Sequence, residues 1–323
     1  MNFHSIPKPD SLVMKTYPAK LLLFGEHTIN TGSQALAVPL PLFSARWQFA
    51  PHLSKTELTS RQMQLPQFAD YLDRLQKRGE LLCQLDVMAF REALHKGLIF
   101  ESDIPTGYGA GSSGALVAAV FGEWTKESID WTRGVEHISP KKLLKLKKVL
   151  AQMEAFFHGT SSGTDPLVCF LQHPVLLGGH EGLKLVRLTE VKPAATLFLL
   201  DTGMERKATP MIEYFLEKMR QEDFHARCRS ELLPAVDHAI EAFLCGGAER
   251  LFEEMHRIGA FQLHFLEKLI PENFRPIWQQ GLDGNLFKLK VCGAGGGGFL
   301  LGIAKDFTET KNRLAEYKLL PVW

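Results

Sequence analysis

Pro105-Thr106-Gly107-Tyr108-Gly109-Ala110-Gly111-Ser112-Ser113-Gly114-Ala115 puts a glycine-rich loop directly before a run of small and apolar residues of helical character. The apolar segment Leu98–Glu101 ahead of it reads as a strand, so the local order is strand, loop, helix. Glycines let several backbone N–H groups face one anion, and the start of a helix adds partial positive charge at the same point. Ser112 and Ser113 suit the helix cap, and a hydroxyl there can also ligate a metal ion on phosphates. The stretch is a candidate nucleotide-binding loop.

Simpler pattern matches are weaker. Gly109-Ala110-Gly111-Ser112-Ser113-Gly114 fits the dinucleotide fingerprint G-x-G-x-x-G, and Asp130 follows about 20 residues on. Pro105 and Thr106, however, separate the glycines from the strand, whereas the dinucleotide turn follows its strand closely. Gly293-Ala294-Gly295-Gly296-Gly297-Gly298 fits too, yet Phe299–Ile303 after it reads as a strand. There is no G-x-x-x-x-G-K-[ST], which argues against a Walker-type ATPase.

The chain has 323 residues, enough for about two domains, and 45% hydrophobic residues supply sizeable cores. Lys+Arg 37 against Asp+Glu 36 leaves a net charge of +1. No general field for nucleic acid or an anionic membrane results, and neither partner is expected. Cys83, Cys169, Cys228, Cys245 and Cys292 show no C-x-x-C spacing, which fits free thiols in a reducing cytoplasm rather than a zinc site. Met1–Lys15 lacks the continuous apolar core of a signal peptide, and no apolar run reaches the roughly 18 residues of a membrane helix. A cytoplasmic enzyme is the expectation.

Leu21–Phe24 reads as a buried strand; Ala35–Leu42 and Phe43–Ala50 continue a sheet, with Pro39 and Pro41 suggesting an edge or a bend between them. Phe68–Lys77 and Leu81–His95 have helical spacing. Ser139–Gly159 is the clearest helix, with Ser139 as N-cap, Pro140 at N1 and Gly159 just past the end. Leu143, Leu146, Leu150, Met153 and Phe157 form its apolar stripe, and Lys141, Lys145 and Lys148 its solvated face. A second portion starts near Lys192, with strands at Thr196–Leu200, Phe287–Val291 and Phe299–Ile303 and helices over Pro210–Arg220, Leu232–Leu244 and Ala248–Leu269.

Several residues have both a structural and a chemical reading. Glu154 falls roughly 50° from the centre of the apolar stripe, where a carboxylate needs a cation, a helix N-terminus or a metal. Asp165 makes a good N-cap with Pro166 at N1 of a helix carrying Leu167–Leu171, and one of its oxygens can still face a substrate. Lys20 beside a strand is ordinarily a solvated edge lysine, and His27 in a turn ordinarily a surface histidine. The run Gly295–Gly298 wastes backbone entropy unless a ligand or another loop must come close.

The motifs also occur together and in order: P-A-K-x-x-L-x-G-E-H-x-I-x-x-G from Pro18, P-x-G-x-G-x-G-S-S from Pro105, H-G-x-x-S-G-x-D from His158 and G-A-G-G-G-G from Gly293. In this combination the chain resembles the GHMP small-molecule kinases over almost its whole length, and within them most the mevalonate-kinase family. The resemblance implies an α+β fold of two domains, residues 1–191 with a left-handed βαβ crossover and residues 192–323 ferredoxin-like. It implies ATP and magnesium as cofactors. Gly107, Tyr108, Gly109, Ala110, Gly111, Ser112 and Ser113, with Gly295 and Gly296, would contact the nucleotide, and Ser113 and Glu154 would hold Mg2+. Asp165 would be the catalytic aspartate, Lys20 its basic partner, and Glu26 and His27 the substrate-side turn. Glu154 stands eleven residues and His158 seven before Asp165, as in the family segment E-x-x-x-H-G-x-x-S-G-x-D. Ala110, Gly114 and Ser161 replace the usual leucine, alanine and proline; all three are expected to be packing changes.

The function expected is phosphorylation of a small-molecule alcohol, mevalonate first, as in isoprenoid precursor synthesis. Other GHMP kinases acting on phosphomevalonate, a sugar or homoserine, and a non-catalytic nucleotide-binding regulator, are the alternatives. Gly25-Glu26-His27-Thr28-Ile29-Asn30 has Ile29 and Asn30 where galactokinases carry an acidic and an aromatic residue. An apolar residue in place of the acid suits a branched hydroxy acid better than a sugar, whose unmatched hydroxyls would lose their water partners. The sequence leaves monomer and homodimer open.

Overall fold

The computed structural model describes residues 15–127, 135, 138–179, 182–188, 195–206 and 208–322. Asp130 and the expected 191/192 boundary lie outside them. The chain runs β1 (Thr16–Phe24), β2 (Ala35–Phe49), α1 (Lys55–Gln62), α2 (Leu65–Lys77), α3 (Val87–His95), β3 (Leu98–Ser102), α4 (Ser112–Trp124), α5 (Pro140–His158), α6 (Thr164–Leu171), β4 (Val175–Leu177) and β5 (Leu183–Leu185). It continues with β6 (Thr196–Asp201), α7 (Ala208–Met219), α8 (Glu222–Arg227), α9 (Leu233–Leu244), α10 (Ala248–Phe265), α11 (Arg275–Asp283), β7 (Phe287–Val291), β8 (Phe299–Ala304), α12 (Phe307–Arg313) and β9 (Lys318–Pro321). Among the described residues no helix is long and apolar enough to cross a membrane.

One sheet has the order β1-β2-β4-β5, with β3 also on β2. β2 is a single strand of 15 residues, so Pro39 and Pro41 do not break it. It pairs antiparallel with β4 through Ala35–Ala37 and with β3 through Ala45–Phe49, and both prolines fall in the gap between those ladders. The other sheet has the order β7-β8-β6-β9 and is antiparallel at every pairing. Counting its strands along the chain gives the order 2-3-1-4, the ferredoxin-like arrangement.

The chain divides into two compact units that interleave in sequence: one of the segments up to Lys20, Pro39–Pro105 and Gly111–His173, the other of Leu21–Val38, Thr106–Ala110 and Pro174 onward. In the first, Trp47 packs edge-on against Trp124 at 5.2 Å and against Phe90 at 6.0 Å, and all three are buried. Truncating such an aromatic typically costs about 3–5 kcal/mol. α3 begins only at Val87, because the Asp86 side chain caps it on the Ala89 N–H; the expected start at Leu81 is too early. In the second, Trp278 is fully buried and its indole N–H donates to the Gly259 carbonyl at 3.0 Å. Cys245 is exposed, whereas the other four cysteines are buried; all five are free thiols.

Candidate active site

In the first unit, α4 and α6 bring the expected reacting groups together. Gly111, at φ 83°, is the N-cap of α4, and no side chain caps it. The N-terminal amides of α4 therefore lack a side-chain acceptor, the condition for binding an anion. The expected capping by Ser112 or Ser113 does not occur, because both lie inside the first turn. A Cβ on Gly111 would stand 2.8 Å from Lys20 Cγ, so glycine is what lets the loop close over that lysine. Lys20 is buried, not the solvated residue that its strand position suggests, and its Nζ lies 2.8 Å from Asp165 Oδ2.

Asp165 is not an N-cap. That position is Gly163, at φ 73°, and Asp165 and Pro166 fall within the first turn of α6. Proline is tolerated there because the first-turn amides have no intrahelical acceptor. The Asp165 carboxylate is thus free of capping and pairs with Lys20. At Gly114 a Cβ would meet Asp165 backbone carbon at 3.0 Å, so the missing methyl lets α4 approach α6 closely.

Glu154, on α5, is 4% exposed. Ser113 Oγ donates to its Oε1 at 3.2 Å and lies 3.0 Å from His158 Nε2. Burial, and then the negative charge of Asp165, push the Glu154 carboxyl up to about 7; Ser161, Lys20 and Ser113 pull it back. A hydroxyl and a carboxylate are hard oxygen ligands, and a second carboxylate repelling the first leaves a deficit of positive charge, so the set fits Mg2+. Among the described residues no three His, Cys, Asp or Glu side chains form a metal cage. Mg2+ commonly uses one or two protein oxygens and completes its shell with phosphates and water.

Ser161 was expected to be a packing substitution. Instead its Oγ donates to Glu154 Oε2 in a short hydrogen bond and accepts the Gly163 N–H at 2.9 Å. Cys169 is fully buried, with its thiol pushed well up chiefly by burial.

In the second unit, Gly107 and Gly109 have φ of 75° and 68°, and the Arg206 N–H donates to the Gly107 carbonyl at 3.0 Å. The Arg206 guanidinium lies where a Cβ on either Gly109 or Gly293 would stand, 1.5 and 1.8 Å from its nitrogens. A cation thus covers both glycine loops. No motif marked Arg206; its only signal was a basic residue in the loop after β6. Tyr108 OH donates to Asp201 Oδ1 at 3.0 Å. The last loop folds against backbone: Gly296 N–H donates to Leu269 O and Gly298 N–H to Met204 O, both at 2.7 Å. Close approach to other segments therefore already accounts for part of that glycine run, and the Gly296 amide is engaged.

Glu26 and His27 are interior groups. The Glu26 side chain is 5% exposed and forms a short ion pair with Lys290, itself 1% exposed. Lys290 also donates to the carbonyls of Leu23 at 3.0 Å and Val291 at 2.7 Å. Burial pushes the Glu26 carboxyl up, and the Lys290 charge opposes it. Burial lowers His27 to about 4, so the imidazole is neutral at pH 7. Its Nε2 is 3.2 Å from the Ala294 carbonyl, which can only accept, so in the neutral ring Nε2 carries the proton and Nδ1 is the acceptor nitrogen.

An uncapped glycine loop opens α4 beside a buried Lys–Asp pair and a hydroxyl–carboxylate pair, and residues 77–173 match the model of the GHMP kinases N terminal domain. Similarity to relatives named mevalonate kinase runs over about nine-tenths of the chain. The Archaeoglobus fulgidus mevalonate kinase is 26% identical over 292 residues, 89% of this chain and 91% of its own. The L. major mevalonate kinase, solved in complex with R-mevalonate, matches at TM-score 0.62 and 16% identity, covering 92% of this chain and 88% of its own. The Streptococcus pneumoniae phosphomevalonate kinase, solved with phosphomevalonate and AMPPNP, matches at TM-score 0.60 and 18% identity, covering 95% and 99%. The fold is that of the GHMP kinases.

Proposed function

We propose that this protein transfers the γ-phosphoryl group of ATP to the primary hydroxyl of a small-molecule alcohol, with mevalonate the preferred acceptor. The observation that carries the reading is the Lys20–Asp165 pair at 2.8 Å, beside the uncapped start of α4. Relatives named mevalonate kinase, similar over about nine-tenths of the chain, support the acceptor. The reading places the protein in the cytoplasm.

The attacking hydroxyl oxygen bonds to the γ-phosphorus as the bond to the β,γ-bridging oxygen breaks, and ADP leaves. A carboxylate, ordinary pKa about 4, cannot strip an alcohol of pKa about 16 outright. Asp165 therefore orients the hydroxyl and takes its proton late, once the new P–O bond is forming. The transition state is loose, so positioning and charge neutralisation dominate. Lys20 holds Asp165 and stabilises negative charge on the reacting oxygens. The loop Gly107 to Ser113 is the phosphate-contacting stretch of this reading, and in the second unit the Arg206 guanidinium supplies a charge that Gly109 and Gly293 lack. Gly296 contributes through backbone shape, since its N–H is already bonded. Magnesium, held by Ser113 and Glu154, would neutralise the phosphate oxygens. Glu26, fixed by Lys290, and neutral His27 serve the acceptor side.

A coupled ADP-release assay with mevalonate, phosphomevalonate, galactose and homoserine at equal subsaturating concentration tests the reading. Mevalonate is expected to be fastest, and His27→Ala to weaken its use selectively. The near-equal fold likeness to phosphomevalonate kinase makes a phosphorylated acceptor the second reading. Activity on phosphomevalonate without activity on mevalonate would select it.

A further inference from the structure

The Ser161 hydroxyl has one proton, and that proton goes to Glu154 Oε2, while a lone pair accepts the Gly163 N–H at 2.9 Å. The turn carrying that amide packs closely on α5, because a Cβ on Gly163, at φ 73°, would stand 2.2 Å from the Lys147 carbonyl oxygen. Oε2 is thereby tied to the turn that opens α6, the helix carrying Asp165. The other oxygen is held differently. Oε1 accepts from Ser113 Oγ, which also lies 3.0 Å from His158 Nε2. One side of the carboxylate is anchored and the other faces a hydroxyl that has an alternative partner. A proline at position 161, the residue expected from the family pattern, could form neither hydrogen bond.

We propose that Ser161 is a positioning residue for Glu154: it fixes Oε2, so that Oε1 and the Ser113 hydroxyl are the two oxygens presented to a divalent cation. The inference rests on the kinase reading above and adds to it a residue that sets metal affinity from outside the ligand pair. Groups that hold a metal-ligating carboxylate typically change metal affinity 10–100-fold when removed.

The test uses the full chain with Mn2+ as probe in the presence of AMPPNP, with free Mn2+ followed by electron paramagnetic resonance. Ser161→Ala is expected to raise the Mn2+ dissociation constant about tenfold. Ser161→Thr, which keeps the hydroxyl, is expected to bind as the native chain does, and Ser161→Pro supplies a second deletion should the alanine variant fold poorly. Turnover of Ser161→Ala should fall at low Mg2+ and recover as Mg2+ is raised, a response that general loosening of the fold would not give. Native-like Mn2+ binding by Ser161→Ala or Ser161→Pro, with Glu154→Gln impaired, would overturn the positioning role alone. Equal binding by the native chain, Glu154→Gln and Ser161→Ala would overturn the magnesium assignment together with it.

Discussion

Lys20 Nζ lies 2.8 Å from Asp165 Oδ2, and the two ends of the pair are unequally buried: the lysine side chain is 5% exposed, the aspartate 36%. Removing the aspartate leaves an ammonium inside the protein without its counter-charge, whereas removing the lysine leaves a carboxylate that water can reach.

Asp165→Asn should therefore cost more stability than Lys20→Met, by about 2 kcal/mol after allowance for solvent screening of the exposed end. Urea unfolding at pH 6, where Glu154 is largely protonated and its repulsion of Asp165 is muted, measures the difference. Turnover should fall roughly 10²–10⁴-fold in Asp165→Asn. A larger stability loss in Lys20→Met would contradict this account of the pair.

Glu154 gives a pH signature. Its folded pKa, about 7, lies above the ordinary 4.5, so the folded protein binds more protons than the unfolded chain between those values. Its contribution is most favourable below about pH 4.5 and is lost as pH rises through 7, amounting to about 3 kcal/mol. In metal-free buffer at pH 8, Glu154→Gln should be more stable than the native chain, while at pH 4.5 the two should be similar. Its turnover and its magnesium dependence should both be reduced. Parallel stability curves for the two proteins from pH 4.5 to 8 would rule out the buried-carboxylate argument.

Glu26 and Lys290 form a second buried pair with a different asymmetry. Glu26→Gln leaves the ammonium with the carbonyls of Leu23 and Val291 and the Phe24 ring 5.4 Å away. Lys290→Met leaves the carboxylate and both carbonyls without that donor, and should cost about 3–5 kcal/mol. The double variant should lose less than the sum of the two singles. Additive losses in thermal or urea unfolding would show that the ion pair contributes nothing.

Much of this site was legible in the sequence, because its signals are local. Ser139, Pro140 and Gly159 bound the helix that the structure shows, and the angular position of Glu154 on it foretold a carboxylate at the packing face. The interior lysines were not legible. Phe287-Lys288-Leu289-Lys290-Val291 alternates as a half-exposed strand would, yet all five residues are buried. Lys288 Nζ donates to the carbonyls of Gly281 and Gly284, where α11 ends, and Lys290 to those of Leu23 and Val291. Those acceptors come from segments distant in sequence or from the backbone itself, so no periodicity reveals them. The capping of α6 was misread because proline fits any first-turn position, and only the left-handed Gly163 distinguishes them. Ser161 showed as a departure from a pattern, but it lies in the loop after α5 and its partner Glu154 is seven residues back on that helix.

The central claim is phosphoryl transfer to the mevalonate hydroxyl under the control of Asp165, and phosphorus NMR of the reaction mixture tests it most directly. With R-mevalonate and MgATP, the native chain should convert the γ-phosphate resonance into that of a phosphomonoester in equal amount to the ADP formed, and Asp165→Asn should do so at least a hundredfold more slowly. Release of inorganic phosphate with no phosphomonoester, or an Asp165→Asn variant as fast as the native chain, would contradict it.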